Sequence, residues 1–332
     1  MNTKLAIKKD IFRQYIRSYA LTSIFIVMCI LFTVSSPTFL TVSNIINVFR
    51  QSSINGILAI GMTLVIITGG IDLSIGPLVA IAGVVSAIIL KKDESLLLFA
   101  IGGGILAATI MSMWTGFLVA KIKIPPFIAS LSTMSIAKGT ALVVAKGVPH
   151  TIKNPLYVKI GNGYLWDPAF TWGIGIPIPV LVITFVAVVI SIILYKTLFG
   201  RYIYAVGGNE QAAIASGIHA GKVKFFTYVL NGFLCGIAGI VLAGRITSGQ
   251  PTAASGYELD AITAVIIGGT SMTGGIGRIG GTIIGALIIG VLNNGLILLG
   301  ITSHYQHLVK GVIIAIAVVL DMKTKRTISS GI

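Results

Sequence analysis

The sequence predicts an all-α membrane protein that crosses a lipid bilayer several times. Its composition, its apolar segments and the position of its basic residues each point to this fold class. Hydrophobic residues make up 55% of the 332 residues and charged residues only 10%, with a mean hydropathy of +0.99. A soluble domain carries about 25% charged residues. Because no water-soluble fold of this length could bury so much apolar surface, lipid must surround most of the chain.

Apolar segments near the length that a membrane helix needs, about 20 residues, recur along the chain. They lie at 19–36, 53–69, 76–90, 95–120, 127–144, 174–195, 225–244 and 281–299, and two shorter ones lie at 259–271 and 305–320. We therefore expect a single transmembrane domain over residues 1–332 with about ten membrane-spanning segments, some of them interrupted helices. The first segment ends without an A-x-A cleavage pattern, which indicates a retained span rather than a signal peptide.

The distribution of Lys and Arg predicts the orientation of these segments. In the ten-span arrangement, one set of loops carries 15 of these residues and the opposite set carries seven. The set with 15 basic residues includes the N-terminal region 1–18, the loop 196–224 and the tail 321–332. Because loops rich in Lys and Arg stay in the cytoplasm, we expect both termini there. Lys138 and Lys310 fall inside predicted spans.

The same placement of charge excludes other classes of protein. A net charge of +15 would suggest nucleic-acid binding in a soluble protein, but here the basic residues flank apolar segments and form no stripe with aromatic residues. Cys29 and Cys235 lie within apolar segments, and His304 and His307 have no convergent carboxylates or cysteines. We expect no metal and no cofactor. No G-x-S-x-G motif or Ser-His-Asp order indicates an enzyme.

The stretch GGIDLSIGP at residues 69–77 places a carboxylate, that of Asp72, between two apolar segments. A charge at the centre of a bilayer costs about 2.5–3.5 kcal/mol on insertion scales, less if it faces water or caps a helix. Asp72 or Ser74 could accept from free N–H groups of a helix that begins near Gly76, with Pro77 in its first turn. The alternative is contact with a polar substrate. Both interpretations place this stretch beside a cavity.

Other polar residues lie within or next to predicted spans. Asn293 and Asn294 lie in the middle of the last long segment, where buried amides need partners. A polyhydroxyl ligand or a neighbouring helix would satisfy them. Tyr257, Glu258 and Asp260 begin the 259–271 segment, where they would guard an entrance or cap a helix. The candidate residues of a substrate path are therefore Asp72, Ser74, Tyr257, Asp260, Asn293 and Asn294. Lys138 could pair with a carboxylate or reach the membrane surface.

Glycines cluster in the second half of the chain. Residues 275–280 match the dinucleotide pattern G-x-G-x-x-G, but they lack a preceding strand and an acidic residue about 20 positions later. Gly277, Gly281 and Gly285 recur every four residues. This spacing predicts a helix face that packs closely against another helix.

The chain also contains a weak internal repeat. LAIGMTLVIITGGIDLSIG, which starts at Leu58, resembles LDAITAVIIGGTSMTGGIG, which starts at Leu259. Interrupted helices in duplicated units often line the substrate path of transporters. The ten-span arrangement gives both copies the same direction, and a coincidence between two glycine-rich apolar segments is the alternative.

The loop 196–224 is the longest polar stretch on the predicted cytoplasmic side. Asn209 followed by EQAA predicts a short helix that the Asn209 side chain caps and that ends near Gly217. The run from Gly217 to Lys222 lacks the spacing and the Ser or Thr of a Walker motif. If transport uses ATP, its hydrolysis must therefore take place on another chain.

Three blocks carry a resemblance to a known family: GGIDLSIG, GRYIYAVGGNEQAAIASGI, and the long run from GYELDAITAVIIGG to LNNGLILLG. They resemble the ribose-type permeases of bacterial ABC importers, and the resemblance covers roughly residues 35–322. It implies a multi-pass permease subunit of the bacterial inner membrane that passes a monosaccharide, ribose or a related sugar, into the cytoplasm. The alternatives are an ion-coupled secondary sugar carrier and a small polyol channel. The nine Asp and Glu residues lie mostly in loops, which argues against ion coupling.

The resemblance also implies partners. These are a second permease copy or a close relative, a cytoplasmic ATPase subunit with tandem domains, a periplasmic sugar-binding protein, and membrane lipid. In such importers a cytoplasmic helix with an E-A-A…G pattern docks into the ATPase, and this chain has the differently spaced E-Q-A-A-x-x-x-G. The residues expected to couple to the ATPase are Gly208, Asn209, Glu210, Ala212, Ala213 and Gly217.

Overall fold

The computed structural model describes residues 25–166 and 175–302, with residues 23, 305, 306, 308–312 and 315 beyond them. The basic region 1–18, the tail 321–332, His304, His307 and half of the 305–320 segment lie outside the described residues. The described helices are α1 Phe25–Ser35, α2 Val42–Ile67, α3 Ile75–Lys92, α4 Leu97–Ala120, α5 Pro126–Val144, α6 Pro155–Asn162, α7 Ile178–Lys196, α8 Leu198–Gly208, α9 Glu210–Ala215, α10 Ala220–Ile246, α11 Tyr257–Ile267 and α12 Ile279–Leu298. Strands β1 His150–Thr151 and β2 Ser248–Gly249 pair antiparallel.

Seven of these helices are long and apolar enough to cross a membrane, namely α2, α3, α4, α5, α7, α10 and α12. This agrees with the predicted class, an all-α polytopic membrane protein. Helix α11 has 11 residues, too few to cross a bilayer that needs about 20. The predicted 259–271 segment is therefore a half-helix that ends before its two glycines.

Helix α2 is the centre of the molecule. The Thr41 side chain accepts from the Asn44 N–H at its start. From Ser52 to Ile67 the helix is buried without interruption, and α10, α11 and α12 pack around it. A helix that is hydrophobic on all sides belongs in the interior of a bundle. In contrast, α4 and α7 each bury only 22% of their most apolar stretch, and their outer faces suit lipid.

The loops fall into two groups at opposite ends of the helices. At the end that carries α8 and α9 (the α8–α9 end), the Gly275 N–H donates to the Ile67 carbonyl at 2.9 Å. At the end that carries α6 (the α6 end), β1 pairs with β2, and Arg50 Nη2 donates to the Asn162 carbonyl at 2.6 Å. Asn162 Nδ2 in turn donates to the Arg245 carbonyl at 2.9 Å. In the ten-span arrangement, the loops that meet at the α8–α9 end share one side of the membrane. The loops that meet at the α6 end share the opposite side.

The loop 196–224 contains more structure than the sequence predicts. Helix α8 fills its first part, and α10 begins within it at Ala220. Thr197 caps α8 by accepting from the Gly200 N–H, and Ile203 and Val206 are buried on one side of the helix. An amphipathic helix of 11 residues does not stand out in a hydropathy pattern, because half of its residues are polar or small.

The predicted glycine face on α12 needs one correction. Helix α12 begins at Ile279, because Arg278 before it is extended, so Gly277 lies in the preceding loop and not on the helix. Gly281 and Gly285 do lie against α11. A Cβ atom on either residue would overlap a carbonyl oxygen of the α11 region, so the absence of side chains lets the two helices touch.

Candidate functional site

The break between α2 and α3 holds the Asp72 carboxylate inside the protein. Oδ1 accepts from the Ser74 N–H at 2.9 Å and from the Ser74 hydroxyl at 2.5 Å. Oδ2 accepts from Asn231 Nδ2 of α10 at 2.8 Å. Asp72, Ser74 and Asn231 are all 0% exposed. Three neutral donors therefore replace the water that a carboxylate would lose on burial.

The prediction that Asp72 or Ser74 caps α3 beside a cavity is wrong. Ser74 occupies the position before the helix, but its side chain accepts from no backbone N–H of the helix. Its backbone is helical, with ψ near −8°, whereas a capping residue is usually extended. The Ser74 hydroxyl therefore turns back to Asp72. Both side chains join the break to α10 and do not face open space.

The break between α11 and α12 repeats the end of α2. Gly69 has φ of +79°, and Gly269 has φ of +87°. The Gly69 N–H donates to the Ile66 carbonyl at 2.9 Å, and the Gly269 N–H donates to the Ile266 carbonyl at the same distance. A positive φ at a helix end is the conformation in which glycine is favoured. Both helix ends therefore have the same glycine cap, which is common at helix C-termini and is consistent with the internal repeat in the sequence.

Both breaks meet the end of α8 at one backbone contact, which we call the glycine junction (Ile67, Gly207 and Gly275). The Gly275 N–H donates to the Ile67 carbonyl oxygen. A Cβ atom on Gly207 would overlap that same oxygen and would lie 2.8 Å from the Gly275 nitrogen. Nearby, Tyr204 of α8 donates its hydroxyl to the Gly277 carbonyl at 2.7 Å. Burial raises the pKa of Tyr204 to about 12, so this donor stays protonated.

Helix α9 projects from the α8–α9 end next to the glycine junction. Asn209 Oδ1 accepts from the Ala212 N–H at 3.0 Å, and Gly217 follows the helix with φ of +84°. The structure thus contains the short capped helix that the sequence predicts. Ala213 packs inward at 4% exposure, while Gly208, Asn209, Glu210, Ala212 and Gly217 are exposed. A 2.7 Å ion pair between Glu210 and Lys224 holds α9 against α10.

The two asparagines of α12 make inter-helix hydrogen bonds, the second of the two sequence interpretations. Asn294 and Asn44 exchange side-chain hydrogen bonds of 2.8 and 2.9 Å. Asn293 Nδ2 donates to Asp260 Oδ2 at 3.0 Å, and Lys310 Nζ lies 2.8 Å from Asp260 Oδ1. All of these polar groups are buried or nearly so. They connect helices to one another rather than face a ligand.

Sequence reasoning missed the ion pair of Asp260 with Lys310. In the sequence, Asp260 and Lys310 are one carboxylate and one amine in separate apolar segments. This pattern does not show that the two side chains pair with each other. Asp260 is therefore buried and does not guard an entrance. Tyr257 is half-buried near Arg245, the basic residue in the last turn of α10.

Comparisons with known proteins place this chain among transport components. The family model described as branched-chain amino acid transport system, permease component, matches residues 44–318. The chain is 46% identical over 300 residues to the ribose import permease protein RbsC of Bacillus subtilis, which covers 90% of each chain. It is 44% identical to the RbsC protein of Escherichia coli K12, over 92% of this chain and 93% of that one. No solved structure matches the chain.

A third relative, the L-arabinose transport system permease protein AraH of Escherichia coli K12, is 35% identical over 93% of each chain. These relatives are permease proteins of bacterial transport systems, not enzymes. With seven candidate spans, the chain is a multi-pass permease of the bacterial inner membrane. Since the family model covers most of the chain and the relatives nearly all of it, the chain belongs to the family of branched-chain amino acid transport system permease components.

Proposed function

We propose that this chain is the membrane permease subunit of an ATP-driven importer for a monosaccharide, with ribose as the first candidate. The relatives named for ribose are 44–46% identical, whereas those named for arabinose and xylose are 34–35% identical. The family description names branched-chain amino acids, but the relatives that match most of the chain are named for sugars. The similarity therefore favours a sugar and, among sugars, ribose.

The glycine junction is the observation that favours an ATP-driven mechanism. A short exposed helix, α9, lies next to direct backbone contacts between α8 and the ends of two interrupted helices. Backbone contacts without intervening side chains transmit a displacement with little loss, because packed interiors are rigid. An ATPase that moves α9 would therefore move both breaks together. The residues proposed to couple to the ATPase are Gly208, Asn209, Glu210, Ala212, Ala213 and Gly217. Ala213, which packs inward, would fix α9 against the bundle, and the exposed residues would face the ATPase.

The proposed assembly contains two permease copies, a cytoplasmic ATPase subunit with tandem domains and a periplasmic sugar-binding protein. We propose about ten spans with both termini and the α8–α9 end in the cytoplasm. The charge of the loops supports this orientation, since Lys196, Arg201, Lys222 and Lys224 lie at or near the α8–α9 end. The partner binding protein would select the sugar before it reaches the permease.

Reconstitution of the assembled complex in proteoliposomes tests the proposal. With the binding protein outside and ATP inside, the complex should take up labelled ribose, and the permease alone should not. Uptake by the permease alone would overturn the ATP-driven mechanism in favour of a secondary carrier or a polyol channel. A binding scan of the partner binding protein against monosaccharides and amino acids tests the substrate class. Preference for an amino acid would show that the assignment of a sugar is wrong.

A further inference from the structure

One helix exposes polar side chains in the middle of the membrane. On α5, Ala129, Thr133 and Ala137 are buried against the bundle. Ser132, Ser135 and Lys138 are exposed beside the apolar side chains of Leu131 and Ile136. At 1.5 Å per residue, Lys138 lies about 18 Å from the first residue of α5. That is well inside a hydrocarbon core about 30 Å thick. An ammonium group at this depth is costly if it contacts only lipid.

The other peripheral helices provide the comparison. Helix α4 exposes Leu106 and Ile110 in its middle part, and α7 exposes Phe185 and Val188. These side chains are apolar, as lipid requires. Helix α7 also exposes Thr184, whose hydroxyl donates to the Val180 carbonyl of its own helix. The exposed ammonium group of Lys138 is what distinguishes α5 from α4 and α7.

A non-helical segment adds to the same region. Between β2 and α11 the chain has no regular structure, and Thr252 and Ser255 are exposed there. A Cβ atom on Gly76, in the first turn of α3, would lie 2.7 Å from the Ala254 carbonyl oxygen and 2.6 Å from Glu258 Oε2. Gly76 lies about 24 Å along the axis of α3 from Lys92, the last residue of that helix. Irregular backbone at such depth occurs only inside protein or beside a water-filled cavity.

Two charges at this face lack a partner of opposite charge. Lys138 and Glu258 are close enough for their charges to act on each other, but neither belongs to an ion pair of 4 Å or less with any described residue. Glu258 Oε1 accepts from the Gly256 N–H at 3.2 Å, and Oε2 has no hydrogen-bond partner among the described residues. An unpaired ammonium or carboxylate is costly in lipid and in a dry protein interface. Lys138 is exposed and Glu258 is only partly buried, although its Oε2 atom is enclosed. Water must therefore reach the ammonium group of Lys138.

We propose that Ser132, Ser135, Lys138, Thr252, Ser255 and Glu258 line the path along which the sugar crosses the membrane. Sugar hydroxyls both donate and accept hydrogen bonds, so a neutral polyhydroxyl substrate can bind to the ammonium, the carboxylate and the hydroxyls in turn. This assignment rests on the proposed function for the identity of the cargo. It replaces Asp72, Ser74, Asn293 and Asn294, whose polar groups connect helices.

Thiol labelling of the assembled complex tests the path. Ser135→Cys and Lys138→Cys are compared with Ile110→Cys and Val188→Cys, which lie at similar depth on α4 and α7. The unsubstituted chain, with its native cysteines, gives the background. Since only the thiolate reacts and lipid suppresses its formation, a charged methanethiosulfonate should label the two α5 cysteines at least about tenfold faster than the controls. Ribose with the binding protein should slow labelling of the α5 cysteines, and labelling should block uptake.

Each outcome decides the proposal separately from the proposed function. Equal labelling of α5, α4 and α7 cysteines would overturn it, because the α5 face would then contact lipid or a dry interface between permease copies. Labelling that sugar does not slow would overturn the contact with the cargo. Uptake by the unsubstituted complex is measured in parallel. If that complex imports another solute, the proposed cargo is wrong, whereas the difference in labelling still reports on the path.

Discussion

At the scale of single residues, two buried carboxylates are matched by neighbouring polar groups. Asp72 is satisfied by Ser74 and Asn231, and Asp260 by Lys310 and Asn293. Buried charges are stable only when they are paired or fully hydrogen-bonded. These side chains therefore determine how helices meet, and their mutation should change stability first.

The buried ion pair gives the first prediction. Lys310→Met should lower the free energy of unfolding by about 3–5 kcal/mol, because it leaves the Asp260 carboxylate buried without a counter-charge. The double variant Lys310→Met with Asp260→Asn should recover most of this loss. Denaturant unfolding of the purified permease in detergent measures both changes. The exposed pair is the control, and Lys224→Met should cost at most about 1 kcal/mol. A double variant as unstable as Lys310→Met alone would contradict the argument.

The close approach of α11 and α12 gives the second prediction. Gly281→Ala places a Cβ atom on the Gly268 carbonyl oxygen, and such overpacking typically costs about 1–3 kcal/mol. Its neighbour Gly280 has no atom within 4 Å of the corresponding position. Gly280→Ala should therefore leave the unfolding midpoint unchanged or raise it slightly. Equal effects of the two substitutions would contradict the packing of these helices.

At the scale of secondary-structure elements, α8 and α9 differ in how the sequence encodes them. A side-chain cap and a terminal glycine identify α9 directly, since Asn209 and Gly217 occupy the two positions with the strongest local preferences. Helix α8 has an N-terminal cap but no such end signal, and it forms because Ile203 and Val206 pack onto the bundle. Local signals thus predicted one helix of the pair, and tertiary contacts formed the other.

The glycine junction gives the third prediction. Gly207→Ala should separate α8 from the Ile67 carbonyl, so the assembled complex should lose both sugar uptake and the stimulation of ATP hydrolysis by the loaded binding protein. Gly280→Ala, which meets no atom, is the matched control and should keep both activities. Normal membrane amounts of each variant, measured by immunoblot, exclude a folding defect. Wild-type stimulation in Gly207→Ala would show that this contact does not transmit the motion.

At the scale of the whole molecule, the two groups of loops define the two faces of the permease. The α6 end is held together by the β1–β2 pair and by the bonds of Asn162, and the α8–α9 end by the glycine junction. The paired loops are the ones that the charge distribution assigns to common sides. The charge of the loops predicts which face is cytoplasmic.

Cysteine labelling gives the fourth prediction. In intact cells with a permeable outer membrane, an impermeant thiol reagent should label Lys153→Cys at the α6 end and should not label Lys222→Cys at the α8–α9 end. Lys325→Cys tests the C-terminal side in the same way and should not be labelled. Permeabilised cells provide the control, in which all three cysteines should react. Labelling of Lys222→Cys but not of Lys153→Cys in intact cells would reverse the orientation.

The sequence by itself determined the class of this protein and the positions of its breaks. Every segment that spans the lipid must be apolar, helical and about 20 residues long, whatever its neighbours are. Composition and segment length therefore predict the class without knowledge of the tertiary contacts. Gly69 and Gly269 lie at the two helix ends, where a positive φ is a local preference of glycine. The predicted segment 53–69 ends close to the end of α2, whereas the segment 259–271 runs past the end of α11 at Ile267. The resemblance to a permease family also rests on short blocks of consecutive residues, which can be recognised without the tertiary structure.

Only the tertiary structure decided which polar residues face each other and which face a path. The sequence leaves open whether Asp72 and Asn293 contact a polar substrate, and in the structure they bond to neighbouring helices. Lys138 looks like an isolated charge, but its face of α5 is exposed at the depth of an irregular segment. The sequence shows that a polar group in an apolar segment needs a partner, but it does not show which residue that partner is. That partner comes from a helix as far as 159 positions away in the case of Asp72, and only packing brings the two together.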